Sequence, residues 1–309
     1  MGLHKRVLIA NRGEIAVRIA KAARGLGMES VAVFATADAL SPHAHAASRA
    51  HELPDKDPIK AYLDIDALIA IARDTGCDCV HPGYGFLAEN ADFAARCEAE
   101  GLAFIGPTPA ALALFGNKLR ARELAQSLDI PTVPGTGSAL ASAEDAIAFA
   151  SDAGFPVMLK AAAGGGGRGM RPVNNASEMS QAFARCQSEA AAAFGDGSIF
   201  AEKLIKRPRH VEVQILADLH GNTLHLRERD CSVQLRNQKV IEVAPAPNLD
   251  AALRERILAD AVRLSQAAGY TNAGTVEFLV EPEHERYYFI ECNPRIQVEH
   301  TVTEQVTGI

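Results

Sequence analysis

The chain has 309 residues, 48% of them hydrophobic, with 31 Lys+Arg against 38 Asp+Glu for a formal charge of −7. That acidic balance excludes nucleic acid as a main partner, because binding a phosphate backbone needs a basic excess, and the composition excludes a disordered chain. At roughly 100–200 residues per domain, the length predicts about two domains with no need of a disulfide or metal staple.

From Arg6 to about Gly116 short apolar runs alternate with helical patterns, the signature of βαβ units on a parallel sheet. Residues 7–10, 30–34, 79–81 and 103–105 read as strands, and 14–26, 65–75 and 90–100 as helices. The strands end in Asn11-Arg12-Gly13, His81-Pro82-Gly83-Tyr84-Gly85 and Ile105-Gly106-Pro107, where an open α/β sheet places its ligands. No apolar run approaches the roughly 20 residues of a membrane span, so neither a signal peptide nor an anchor is expected. Arg6 at the sixth position argues against myristoylation after Met1-Gly2. The first domain is taken as 1–115.

Residues 118–127 form the next predicted helix, and Pro131 and Pro134 then break the pattern. A second domain is taken as 116–309, with a lid lobe at about 132–203. It holds a helix at 143–153, a strand at 155–160, a glycine run and a second strand at 170–173. From Ser198 the texture is strand-rich, with strands at 200–204, 210–216, 223–228, 239–244, 274–280 and 287–291 around a helix at 251–268. That pattern predicts antiparallel sheets with helices, so the fold class is α/β, a parallel-sheet domain followed by a two-lobed domain.

Six cysteines are scattered, and Cys77-Asp78-Cys79 lacks the spacing of a zinc ribbon. A reducing, cytoplasmic compartment is expected. His43, His45 and His51 read as surface residues in an Ala-rich stretch. Cys231 and Cys292 read as packing residues, since neither has a histidine partner motif for nucleophilic work.

Gly164-x-Gly166-x-x-Gly169 follows a strand and formally fits the dinucleotide fingerprint, but Met170-Arg171-Pro172-Val173 cannot open the required helix. No Gly-x4-Gly-Lys-Ser/Thr occurs. A glycine-rich hairpin remains, either a lid whose N–H groups cradle a triphosphate with Lys160 and Arg168 supplying charge, or a flexible linker. Glu277 sits in an apolar strand and Glu291 closes another, with Asn293 just beyond. Carboxylates are costly to bury unpaired, so these three oxygen donors suit Mg²⁺ or Mn²⁺ beside phosphates, unless both glutamates face solvent. By period-two alternation Arg295, Gln297 and Glu299 share one side of an extended segment. They could hold a small oxyanion, with Glu299 as base, or form a polar loop with a surface ion pair. His300 reads as a structural hydrogen-bonding histidine. The basic run of Arg209, Arg227, Arg229, Arg236 and Lys239 reads mostly as a solvated charged face.

The chain resembles the biotin carboxylases, the ATP-grasp component of biotin-dependent carboxylases. The resemblance rests on Ile9-Ala-Asn-Arg-Gly-Glu-Ile-Ala-Val-Arg18, His81-Pro-Gly-Tyr-Gly-Phe-Leu87, Lys160 with the glycines to Met170, Glu228-Arg-Asp-Cys-Ser-Val-Gln234 and Asn293-Pro-Arg-Ile-Gln-Val-Glu-His300. It implies ATP held between two lobes under a mobile glycine lid, with Lys118 and Lys160 on the phosphates and Gly165, Gly166 and Gly167 covering them. Glu202, Lys203, Leu204, His210, Gln234 and Leu279 would complete the ATP contacts. Glu277, Glu291 and Asn293 would bind Mg²⁺ or Mn²⁺. Lys239, Arg295, Gln297 and Val298 would form the bicarbonate pocket. Glu299 would deprotonate bicarbonate for attack on ATP, giving carboxyphosphate, and Arg295 would stabilise the biotin enolate as the carboxyl group passes to biotin.

Biotin is then a substrate on a separate carrier, since no Met-Lys-Met sequence is present, and the implied partners are that carrier, a carboxyltransferase component and a second copy in a homodimer. Leu235, Asn117, Asn237 and Ala88 depart from the family's usual Arg, Asp, His and Ser. The family continues past the position of Ile309 with a further subdomain, so a fragment is expected. His300-Thr-Val-Thr-Glu304 leans toward the pyruvate or long-chain acyl-CoA type. The alternatives are a ligase of the carbamoyl-phosphate-synthase type and an ATP-binding fragment without turnover.

Overall fold

β1 (Arg6–Ile9) carries Val7, Leu8 and Ile9, which are apolar on both faces of the strand. Only a central parallel strand covered on both sides suits such a run. In this computed structural model, which describes residues 4–54, 57–163, 169–236, 238–281 and 284–309, β1 lies at the middle of a parallel sheet. The sheet runs β3-β2-β1-β4-β5, with β2 (Glu29–Phe34), β3 (Arg49–Glu52), β4 (Cys79–His81) and β5 (Ala103–Phe104). Helices α1 (Gly13–Gly25), α2 (Pro42–Ala46), α3 (Ile65–Asp74) and α4 (Ala91–Ala99) accompany it. Two apolar clusters, one around Leu8, Val31 and Val80 and one around Val7, Ile9 and Ile15, fill its faces. Strand β3 is exposed throughout and has no apolar alternation, so its pairing with β2 alone makes it a strand. His43 corrects the expectation of a surface histidine. It is 1% exposed, with Nε2 3.3 Å from the Val33 carbonyl.

α5 (Pro109–Phe115) and α6 (Lys118–Ser127) lead out of this sheet. Asn117 caps α6, its side chain accepting from the N–H groups of Leu119 and Arg120. Next, α7 (Ala143–Ala153), β6 (Val157–Ala161), β7 (Met170–Val173), α8 (Ala176–Phe194) and β8 (Ile199–Lys203) form a small lobe with an antiparallel β7-β6-β8 sheet. Its core joins Val157, Leu159, Met179, Phe183 and Ile199.

The third sheet is antiparallel, in the order β11-β10-β9-β12-β13, from β9 (Arg209–Ala217), β10 (Thr223–Leu235), β11 (Gln238–Val243), β12 (Asn272–Glu281) and β13 (Arg286–Asn293). Val211, Val213, Ile215, Val276, Phe278 and Val280 pack toward Ile257, Leu258, Ala261 and Leu264 of α9 (Ala251–Ala267). Alternation then turns His210, Glu212, Gln214, Thr275 and Glu277 to the opposite face, where the functional residues collect. β10 runs seven residues beyond the predicted 223–228, past a register shift between His225 and Glu228. α10 (His300–Thr307) closes the described chain. Among the described residues no helix is long and apolar enough to cross a membrane.

Candidate active site

Strand register lines up three glutamates. Glu212 on β9 pairs with Glu277 on β12, and Glu277 pairs with Glu291 on β13. Glu212 is 0% and Glu277 3% exposed, so each needs a positive partner. Lys239 reaches from β11 to three carboxylates, contacting Glu212 and donating to Glu277 Oε1 and Glu299 Oε1 at 2.8 Å each. Burial would strip its proton, but Glu277, Glu212 and Glu299 outweigh burial and raise its pKa. Lys118, at the start of α6, pairs with Glu291. Its backbone N–H donates to the Ala162 carbonyl at 2.9 Å, just past β6.

His210 presents Nε2 at 2.8 Å from Glu277 Oε2, while Gln234 Nε2 lies 2.9 Å from its Nδ1. Burial works against a charged His210, but Glu277 overcomes it and raises the imidazole's pKa. Burial works against the charged form of Glu277, but His210 and Lys239 overcome it and hold the carboxyl well below its usual range. Lys239 does the same for Glu299 against burial, so both are anions at neutral pH.

The segment from Arg295 to Glu299 is a loop with a turn, not the extended segment expected, so strict alternation is not what brings its side chains together. They converge nonetheless. Arg295 Nε donates to Glu89 Oε1 at 2.5 Å, across to the first sheet's β4–α4 loop, and Nη2 donates to Asn293 Oδ1 at 3.0 Å. Asn293 Nδ2 and Gln297 Nε2 both donate to Glu277 Oε1, at 2.8 and 3.3 Å. Val298 is 61% exposed, its side chain turned to solvent. His300 is buried and paired with Glu304, as a structural histidine would be. Arg295 also borders a cavity of about 120 Å³ lined by His81, Pro107, Ala273 and Ile296.

A second cluster sits where the small lobe meets α6. Glu202 on β8 is 5% exposed and takes Arg122 at 3.0 Å and Lys160 at 2.5 Å. Lys203 does not join it, since its ammonium donates to the carbonyls of Gly154 and Phe155 at 2.6 and 3.4 Å. Leu204 is half-buried beside it, and Leu279 lies opposite His210 in the β9–β12 register. Gly165, Gly166 and Gly167 lie outside the described residues.

The family model "Biotin carboxylase, N-terminal domain" matches residues 3–112, and "Carbamoyl-phosphate synthase L chain, ATP binding domain" matches residues 117–309. A biotin carboxylase from Campylobacter jejuni, solved as a complex with β,γ-ATP, is 44% identical over 99% of this chain and 68% of its own, with a TM-score of 0.97. The chain belongs to the biotin carboxylase family. The biotin carboxylase domain dimer of Hydrogenobacter thermophilus 2-oxoglutarate carboxylase, solved with MgADP, ADP and bicarbonate, is 43% identical over all of this chain and 68% of its own, with a TM-score of 0.97. Mitochondrial pyruvate carboxylase of Mus musculus is 51% identical over 306 residues, 99% of this chain and 26% of that protein. The chain spans about a quarter of the length of the curated relatives it matches.

In this chain the sequence reading missed Glu212, Arg229, Glu89 and Arg122. Glu212 had the signal that revealed Glu277, a lone acid among alternating apolar residues. Arg229 was read with a solvated charged face, yet it is 0% exposed and tied to Glu212 at 2.6 Å. Glu277 and Glu291 are hard oxygen donors that fit Mg²⁺ or Mn²⁺, whereas Asn293 turns its –NH2 to Glu277 and its oxygen to Arg295, and would have to turn over to join them. That fit is supported by the lysines now offsetting the two carboxylates, which mark the place as one built for positive charge.

Proposed function

We propose that this chain carries the biotin carboxylase reaction, with residues 1–115 as its N-terminal domain and 116–309 as an ATP-grasp domain whose lid lobe spans about 132–203. The observation that carries the reading is the contact of Lys239 with Glu299 and Glu277, which joins a buried carboxylate base to the acidic row within one hydrogen-bonded cluster. Lys118 and Lys160 bind the phosphates of ATP under Gly165, Gly166 and Gly167, while Glu202, Lys203, Leu204, His210, Gln234 and Leu279 take its nucleoside end. Lys203 and Leu204 serve through their backbone. Bound at Glu277, Glu291 and Asn293, Mg²⁺ or Mn²⁺ supplies positive charge to the transferring phosphoryl group.

Lys239, Arg295, Gln297 and the backbone at Val298 hold bicarbonate, and Glu299 takes its proton. The freed oxygen attacks the γ-phosphorus and the bond to the β-phosphate oxygen breaks, giving ADP and carboxyphosphate. The carboxyl group then passes to a ureido nitrogen of biotin as its bond to the phosphate oxygen breaks, the ureido proton leaving on the released phosphate and Arg295 offsetting the enolate charge. The biotin rides on a separate carrier, a carboxyltransferase component receives the carboxyl group, and the working assembly is a homodimer. Six buried free thiols suit a reducing compartment, here taken as the cytoplasm.

ADP release measured with Mg²⁺, with and without bicarbonate and free biotin, tests the reading against the Glu299→Gln variant. A bicarbonate-dependent rate that biotin raises and the substitution abolishes is expected. ATP binding with no response to bicarbonate or biotin overturns it and leaves an ATP-binding module. A rate that needs a nitrogen donor instead points to the carbamoyl-phosphate type.

A further inference from the structure

Arg229 lies at the middle of β10 with 0% of its surface exposed. A guanidinium has five N–H donors in a rigid fork and no acceptor, and here all five are used. Nε donates to Glu212 Oε1 at 2.6 Å, Nη1 to Gln214 Oε1 and Thr303 Oγ1 at 2.8 Å each, and Nη2 to Gln297 Oε1 at 3.0 Å and Thr275 Oγ1 at 3.4 Å. One side chain thus ties β9, β12, α10 and the Arg295–Glu299 loop together.

The partners are oriented as well as held. Because arginine only donates, both glutamines must turn their carbonyl oxygens toward it. Gln214 then gives its –NH2 to the Gly274 and Ile215 carbonyls. Gln297 has its –NH2 directed at Glu277 Oε1, on the side where Lys239 and Asn293 also meet that carboxylate. A carboxamide left to itself offers a pocket its oxygen or its –NH2 with little preference, and only the –NH2 serves an anion. Glu212 is shared in the same way, one oxygen on Arg229 and the other on Lys239.

We infer that Arg229 is a positioning residue for the anion pocket, fixing the Gln297 carboxamide with its –NH2 toward the bound oxyanion and bracing Glu212 behind Lys239. The inference rests on the proposed role of Gln297 in holding bicarbonate. Lysine at this position keeps a charge beside Glu212 but has three donors on one nitrogen, and cannot reach Gln214, Thr303, Thr275 and Gln297 together.

The test uses the whole chain and its Arg229→Lys variant, with two readouts. In bicarbonate-dependent ADP release, the KM for bicarbonate is expected to rise about tenfold or more, the loss of roughly one charge-assisted hydrogen bond, while the KM for ATP stays within about twofold. In ¹⁵N-edited NMR, the side-chain –NH2 pair of Gln297, identified by its loss in Gln297→Ala, is expected to shift and to exchange faster with solvent. Equal changes in both KM values with the Gln297 signal unmoved overturn the inference and leave Arg229 as packing. If the parent chain shows no bicarbonate dependence, the proposed reaction fails instead, and the Gln297 signal alone decides the positioning claim. Should Arg229→Lys not fold, the parent chain decides alone, and a Gln297 –NH2 pair that exchanges with solvent as fast as those of exposed carboxamides overturns the inference.

Discussion

Glu277 and Glu291 stand opposite each other on β12 and β13, and a lysine from a different element neutralises each, Lys239 from β11 and Lys118 from α6. The two carboxylates share a row without sharing a counter-ion. With both carboxylates as the proposed Mg²⁺ ligands, Glu291→Gln is expected to raise the Mg²⁺ concentration for half-maximal ADP release by about tenfold, one charge-assisted contact's worth. A Mg²⁺ titration superimposable on that of the parent chain would remove Glu291 from the metal site.

Arg122 and Glu202 form a buried pair, with side chains 8% and 6% exposed. Removing one partner of such a pair leaves an uncompensated charge and costs about 3–5 kcal/mol. Lys160 remains on Glu202, so Arg122→Met is expected at the lower end of that range, with weaker ATP binding because Lys160 is then drawn harder onto the carboxylate. Urea unfolding and ATP titration check both effects. A stability change under about 1 kcal/mol would show that Lys160 alone suffices.

Two histidines of the first domain give it a pH dependence. Burial pushes His43 below the ordinary histidine value and His81 down to about 4. Unfolded, each takes up a proton near pH 6.5, and folded, each resists it. Stability is therefore full above pH 6.5 and falls as pH drops toward 4, by about 1.4 kcal/mol per pH unit for a single such group. Thermal unfolding between pH 7 and 5 should show a shallower decline for His81→Asn than for the parent chain. Parallel declines would mean that His81 titrates alike in both states.

Leu235 ends β10 opposite Gln238 and is 68% exposed. Arg at this place loses no packing, so the stability change is expected within about 0.5 kcal/mol. One residue away, Gln234 pairs with Lys239 in the ladder, so the added cation lies near the pocket. Leu235→Arg should lower the KM for ATP by about two- to fivefold at low salt, an effect that fades as salt screens it. An unchanged KM at low ionic strength would place residue 235 out of electrostatic reach of the triphosphate.

The parallel sheet was legible because β1, β2 and β4 are short apolar runs followed by turn residues, and the antiparallel sheet because β9 and β12 alternate. β3 was not, as its residues earn their strand only by pairing with β2. α8 went unassigned because its buried face is largely alanine, with Met179, Phe183 and Cys186 too sparse to mark a stripe. Within the site, Glu277 betrayed itself as an acid in an apolar strand. Glu212 carried the same signal on β9 and was passed over, and Arg229 was hidden in a charged run, because sequence spacing does not reveal a partner 17 residues away. Arg295, Gln297 and Glu299 were grouped by an alternation that the turn does not obey; what gathers them is the set of charges already fixed on the sheet.

Lys118 belongs to two bodies at once. Its peptide nitrogen is fastened to the Ala162 carbonyl just past the end of β6 in the small lobe, and Asn117 bridges Ala163 beside it, while its ammonium rests on Glu291 of the large sheet. The cation that balances Glu291 is thus anchored through its own backbone to the small lobe, so the placing of that lobe and the placing of the ammonium on the carboxylate row are not independent.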